Sequence, residues 1–153
     1  MDVRLEWGAT PEQLAMLYAD PLIQRTGDDM HPASPVSHDL ARYASVYLNG
    51  AFVGAYLVIE FSAYEWEVHT LLQKAATPAS RAAGRKLLGL LFEDPDKQRV
   101  TGWVRADLKT ATNLCGKLGL LVEGVKSDAV RVNGRPVDLV IMGLTRERWE
   151  SMQ

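Results

Sequence analysis

At 153 residues, 47% of them apolar and 24% charged, the chain suits one soluble domain with a sizeable core and is too short for two. A net charge of −2 excludes the basic surface on which a nucleic-acid binder depends, and no apolar run approaches a membrane span. A single cysteine, Cys115, excludes an internal disulfide framework, and the three histidines, His31, His38 and His69, show no metal-ligand spacing, so no metal is expected.

Asp2 to Trp7 alternates polar and apolar residues and predicts a strand. Thr10-Pro11-Glu12-Gln13 is a helix start, with Thr at the cap, Pro at the first position and Gln three after the cap. Gly27 to Ser37 predicts a loop, followed by a short helix over His38–Ala44. A meander comes next. Ser45 to Leu48 predicts a strand, Asn49-Gly50 a tight turn, Phe52 to Phe61 a second strand and Glu65 to Leu72 a third.

Ala79 to Phe92 predicts an amphipathic helix, broken by Asp94-Pro95-Asp96. Val100 to Val104 predicts a strand, and Leu108 to Leu118 a helix stopped by Gly119. Ala129 to Val132 and Val137 to Leu144 predict a hairpin turning at Asn133-Gly134. The order βα(α)βββαβαββ has no repeat and no linker, which implies one α/β domain over residues 1–153, a mixed sheet with helices on its faces. The N-terminus lacks a signal-peptide core, and a cytoplasmic setting is expected.

Thr77-Pro78, then Arg81, Gly84 and Lys86, open the Ala79–Phe92 helix. Backbone amides at a helix start, next to basic side chains, suit a phosphate group. The same residues also fit an ordinary solvated helix start. Glu65, Glu67 and His69 alternate with Trp66, Val68 and Thr70, so the ionisable set shares one strand face. His69 suits proton transfer at neutral pH, and Glu67 would need a raised pKa or a relaying water. If that face is exposed, the row is merely polar.

This order of elements resembles the GNAT family, the acetyl-CoA-dependent N-acyltransferases, over nearly the whole chain. Pro78, Arg81 and Gly84 sit where that family places its proline, its Arg or Gln, and its first glycine; Lys86 replaces the second small residue. Ala111 and Gly119-Leu120 fit the downstream frame, with Leu108 at the family's Asn and Cys115 at its Tyr. Val122-Glu123-Gly124 resembles the next strand, and Asn133-Gly134, Asp138 and Met142-Gly143-Leu144 resemble the last hairpin. The first motif helix and the meander also resemble GNAT-type proteins of tailed phages.

The resemblance implies a single GNAT-like domain that moves an acetyl group from acetyl-CoA to a primary amine of unknown identity. It implies that backbone groups of Arg81, Ala82, Ala83, Gly84, Arg85 and Lys86 hold the cofactor pyrophosphate, and that Ala111 also contacts the cofactor. It implies that the extended pantetheine arm adds like a strand along Leu72, Gln73, Lys74 and Ala76. It places the group that removes the amine proton, a carboxylate often acting through water, on the fourth strand, which here offers Glu67 beside His69, and it puts Cys115 in place of the tyrosine that protonates the departing thiolate. A lone cysteine on such a helix also fits a small buried apolar residue. Asp28 and Asp29 in the 27–37 loop could greet a cationic amine, or be solvated loop acids. Trp66, Trp103 and Trp149 read as core or interface anchors. A homodimer is common in the family. Two rivals remain open: a non-catalytic GNAT-like binding protein, such as a phage structural or host-interaction protein, and a transferase for longer acyl chains.

Overall fold

The computed structural model describes all residues from Met1 to Gln153. Its backbone is organised by one seven-stranded sheet: β1 (Val3–Trp7), β2 (Ala41–Leu48), β3 (Ala51–Ser62), β4 (Glu65–Leu72), β5 (Arg99–Arg105), β6 (Leu121–Val132) and β7 (Arg135–Thr145). The spatial order is β1-β2-β3-β4-β5-β7-β6. Every neighbouring pair is antiparallel except β4 and β5. Five helices flank the sheet: α1 (Pro11–Ala19), α2 (Pro21–Gln24), α3 (Ser80–Leu91), α4 (Lys109–Lys117) and α5 (Arg146–Ser151).

Local chemistry explains several of these elements. Thr10 and Gln13 cap α1 reciprocally: the Gln13 amide donates to Thr10 Oγ1 at 3.1 Å and the Thr10 amide to Gln13 Oε1 at 2.9 Å. The two predicted tight turns form with positive φ at both central residues, 50° and 85° at Asn49-Gly50 and 53° and 77° at Asn133-Gly134. That geometry matches the twist of the strands it joins.

The predicted helix over His38–Ala44 does not exist. His38 to Leu40 form a turn in which the Leu40 amide donates to His38 Nδ1, and β2 begins at Ala41. Ala41–Leu48 pairs with β3 along its length, and its second half also with β1, so sheet partners override the local helical preference. The last hairpin is longer than predicted, because β6 already starts at Leu121. The four-residue α2, a 3-10 helix over Lys74–Ala79 and the terminal α5 were not predicted.

Each face of the sheet buries its own core. One cluster joins Tyr56, Val58, Trp66, Val100 and Leu144 to Ala83, Leu87, Leu88 and Leu91 of α3. The other joins Tyr43, Ala55, Leu57 and Leu71 to Leu17 of α1 and Ile23 of α2. Strand alternation assigns the remaining β4 side chains. Val68 and Thr70 lie opposite Val58 and Tyr56, on the α3/α4 face, whereas Glu67 and His69 lie opposite Ile59 and Leu57, on the α1/α2 face. No helix is long and apolar enough to cross a membrane.

Candidate active site

The parallel pair β4 and β5 is joined only at its start, over Glu65–Glu67 and Arg99–Thr101. Beyond that point the strands part. Val68 to Leu72 stay paired with β3 but present an unpaired edge toward β5. A cavity of about 550 Å³ occupies the split. Val68, His69, Thr70 and Leu71 line it from β4, and Gly102, Trp103, Val104 and Arg105 from β5. It reaches α3 and α4 on one face, through Gly84, Ala111, Leu114 and Cys115, and the 26–36 loop on the other, through Asp28 and His31. A passage through the sheet is the consequence of ending a parallel pairing early.

His69 lines this passage, and its Nε2 lies 2.7 Å from Glu67 Oε2. The hydrogen bond from His69, working against burial, holds the Glu67 carboxyl below the usual carboxylate range. The ionised carboxylate can only accept, so His69 Nε2 is the donor in this pair. The raised pKa that Glu67 would need as a direct base is therefore not provided. Glu65 leaves the row of three: it faces Arg99, 3.8 Å away, and Arg99 also pairs with Glu123.

On the opposite face, burial pushes the Cys115 thiol above its ordinary value, so it stays protonated at neutral pH. Ala111, Leu114, Cys115 and Leu118 form the α4 side that faces the cavity. Gly84 is buried where α3 meets the end of α4. A Cβ there would lie 2.6 Å from Leu118 Cδ1, so its glycine serves close helix contact. Lys86, at the position expected to be small, is exposed with Arg81 and Arg85, and its bulk meets no neighbouring core. The cap residue of α3, Ala79, offers no side-chain hydrogen bond, and the first turn carries no acid. The 3-10 helix over Lys74–Ala79 runs straight into α3, so the Ser80 amide already donates to the Thr77 carbonyl, and no side-chain acid accompanies the three cations at this start.

The expected placement of the extended cofactor arm needs correction. Of Leu72, Gln73, Lys74 and Ala76, only Leu72 lies in a strand. Gln73 caps the 3-10 helix, Lys74 and Ala76 lie inside it, and Ala76 is buried. A 3-10 helix has no edge for strand addition. The extended, unpaired edge is Val68–Leu72.

The loop acids are structural. Asp29 Oδ1 and Oδ2 accept from the Asn133 and Gly134 amides at 2.8 Å each, tying the loop to the β6–β7 turn. Asp28 Oδ1 accepts from the Met30 and His31 amides at 2.9 Å and lies 3.1 Å from His31 Nδ1. Burial pushes the Asp28 carboxyl up, but those amides and the His31 ring outweigh it and hold it low. Arg105 completes the brace by donating Nη1 to the carbonyls of Arg25, at 2.6 Å, and Gly27. Trp66 is a core anchor whose Nε1 donates to the Leu91 carbonyl at 3.1 Å, and Trp149 stacks on Phe92. Trp103 is not a core anchor: it is exposed and lines the cavity.

Sequence reading missed Tyr56. It is buried on β3, it lines the cavity, and its hydroxyl makes no hydrogen bond within the protein. A tyrosine among alternating strand residues looks like any core aromatic, so only its unpaired oxygen marks it.

No family model and no curated protein matches the sequence. Solved structures do match. The spermidine N-acetyltransferase from Vibrio cholerae, in complex with CoA and spermine, superposes with a TM-score of 0.80 at 14% identity, over 97% of this chain and 98% of that one. An acetyltransferase of the GNAT family from Streptococcus pneumoniae gives a TM-score of 0.72 at 14% identity, over 94% and 99%. At such identities the likeness is one of fold, and it extends over nearly the whole chain. The chain has the fold of the GNAT acetyltransferases.

Proposed function

We propose that this chain is an N-acyltransferase that moves an acetyl group from acetyl-CoA to a primary amine. The observation that carries the reading is the through-sheet cavity, with the His69–Glu67 pair on one face and Gly84 of α3 and Ala111 and Cys115 of α4 on the other. Two substrates that enter from opposite faces can meet in the split between β4 and β5.

The residues fit a coenzyme A thioester. The start of α3, Arg81 to Gly84, would hold the pyrophosphate through backbone amides, with Arg85 and Lys86 adding charge-assisted contacts. Val68–Leu72 would pair with the pantetheine amides, and Ala111 on α4 would line the same channel. Coenzyme A supplies the activated acyl carbon. The protein orients it and manages the protons.

A primary amine near neutral pH is mostly protonated, with a reference pKa of about 10.4 for a lysine-type group. It must lose a proton to attack. His69 Nδ1 takes that proton, directly or through one water, and Glu67 orients the ring and stabilises the imidazolium. Glu67 then acts as an ionised partner, a role that its lowered pKa favours. Cys115, kept as a neutral thiol on the other face, borders the path of the departing sulfur.

The decisive experiment is a calorimetric titration with acetyl-CoA, followed by thiol release over a panel of polyamines, peptides and aminoglycosides. Saturable binding with turnover is expected. No binding at millimolar acetyl-CoA would sink the proposal, and binding without turnover on any amine would favour the non-catalytic alternative.

A further inference from the structure

Tyr56 is 4% exposed, yet its hydroxyl has no partner in the protein. No buried side-chain oxygen or nitrogen in this fold is both sealed from solvent and unbonded, so the Tyr56 oxygen must open onto the cavity that it lines. The other buried tyrosine behaves differently. Tyr43 bonds Tyr18 at 3.1 Å and accepts from the Val36 amide at 3.0 Å. A hydroxyl buried without a partner costs stability, and phenylalanine would fill the same space without that cost. The oxygen is explained if a ligand uses it.

Its position restricts which ligand atom that is. Tyr56 faces Thr70 across the β3–β4 pair and packs with Ala83, Leu87 and Leu88, so it lies on the α3/α4 face. His69 lies on the other. Burial first, and then the neighbouring Cys115, push the phenol well above its ordinary value, so it remains a neutral donor. No other titratable side chain of α3 or α4 faces it, because Arg81, Arg85, Lys86, Lys109 and Lys117 are all exposed, and Thr70 is its only polar neighbour from β4.

We propose that the Tyr56 hydroxyl is a catalytic hydrogen-bond donor to the departing thioester sulfur, in the space that the short Cys115 side chain leaves free. The inference rests on the acyl-transfer reading above. The amine nitrogen forms a bond to the acyl carbon and the carbon–sulfur bond breaks. The electron pair leaves with sulfur as a thiolate, away from the His69 side. The amine proton goes to His69 Nδ1 and then to solvent, and the thiolate takes a proton from solvent. The net change is amine plus thioester to amide plus thiol. Tyr56 donates without giving up its proton. A phenolic O–H is a stronger donor than the S–H of Cys115.

The test uses coenzyme A itself as the probe and needs no known acceptor. Cys115→Ala removes the only protein thiol, so with the protein in saturating excess over coenzyme A the far-ultraviolet thiolate absorbance reports bound coenzyme A alone. The pH titration of that absorbance is compared between C115A and the double variant Y56F/C115A. A charge-assisted hydrogen bond to the thiolate predicts about tenfold more thiolate at a given pH in C115A than in the double variant. Affinity for coenzyme A at acidic pH, where the thiol is neutral, should be the same in both. Equal thiolate fractions with normal binding would overturn the Tyr56 assignment and leave the acyl-transfer reading standing. Failure of the unmodified protein to bind coenzyme A would overturn both.

Discussion

The two faces of the sheet meet at the same split but are finished differently. On the α1/α2 face nearly every polar group already has a partner: His69 with Glu67, Asp28 with its own loop, Asp29 with the β6–β7 turn, Tyr18 with Tyr43. On the α3/α4 face polar groups are left open: the free edge of β4, the Cys115 thiol and the Tyr56 hydroxyl. A surface whose hydrogen bonds are closed internally holds a shape. A surface with open donors is finished by a ligand. The first suits placement of a base and an acceptor, the second the grip on a long polar cofactor.

Removal of the base should have the largest effect. His69→Ala is expected to slow thiol release by about 10²- to 10⁴-fold, the usual range for loss of a general base. Acetyl-CoA affinity should be unchanged if, as proposed, the cofactor is held on the other face. Parallel calorimetry and steady-state kinetics check this. A variant that loses cofactor binding as much as turnover would break the division between the faces.

Gly84→Val probes the opposite face. Even a Cβ at this position would crowd Leu118, and a branched side chain would push α3 from the end of α4. The expected cost is about 1–3 kcal/mol, read from urea denaturation, together with weaker acetyl-CoA binding. Unchanged stability would mean that Leu118 turns aside and that glycine is not needed for helix contact here.

Which of these features the sequence disclosed follows from how local each one is. Thr10 and Gln13 lie three residues apart, and the Asn-Gly turns are adjacent pairs, so their chemistry is visible in a short window. His69 and Glu67 share a face by strand periodicity alone. By contrast, β2 is a strand because of β1 and β3, and no window around His38–Ala44 contains that information. Arg105 braces the carbonyls of Arg25 and Gly27 across most of the chain, and Asp29 caps a turn near the far end. The extended edge ends at Leu72 and not at Ala76, because a 3-10 helix over Lys74–Ala79 stops β4 where the residues alone look strand-like.

Asp29→Ala tests how much the closed face depends on its brace. Two hydrogen bonds of an exposed carboxylate are lost, at a net cost of about 1 kcal/mol. Thermal denaturation should record that loss. The sharper readout is kinetic: the KM for the amine should rise as the 27–37 loop loosens, while the KM for acetyl-CoA stays the same. Equal changes in both would place the loop on the cofactor path.

The smallest expected effect concerns pH. The folded Glu67 carboxyl titrates below its unfolded value, about 4.3 for a free glutamate, because His69 favours its charged form. Its contribution to stability is therefore complete above the unfolded value and is lost as pH falls through the lower, folded one. Glu67 is partly exposed to solvent, which screens the pair and keeps the effect modest. Glu67→Gln removes the titration, so the stability gap between the two proteins should narrow steadily as urea midpoints are taken from neutral pH into the acid range. A gap that does not change with pH would mean that the carboxylate contributes packing and not charge. The α3/α4 face offers no lowered carboxylate of its own, so acid should loosen the base before it disturbs the cofactor grip.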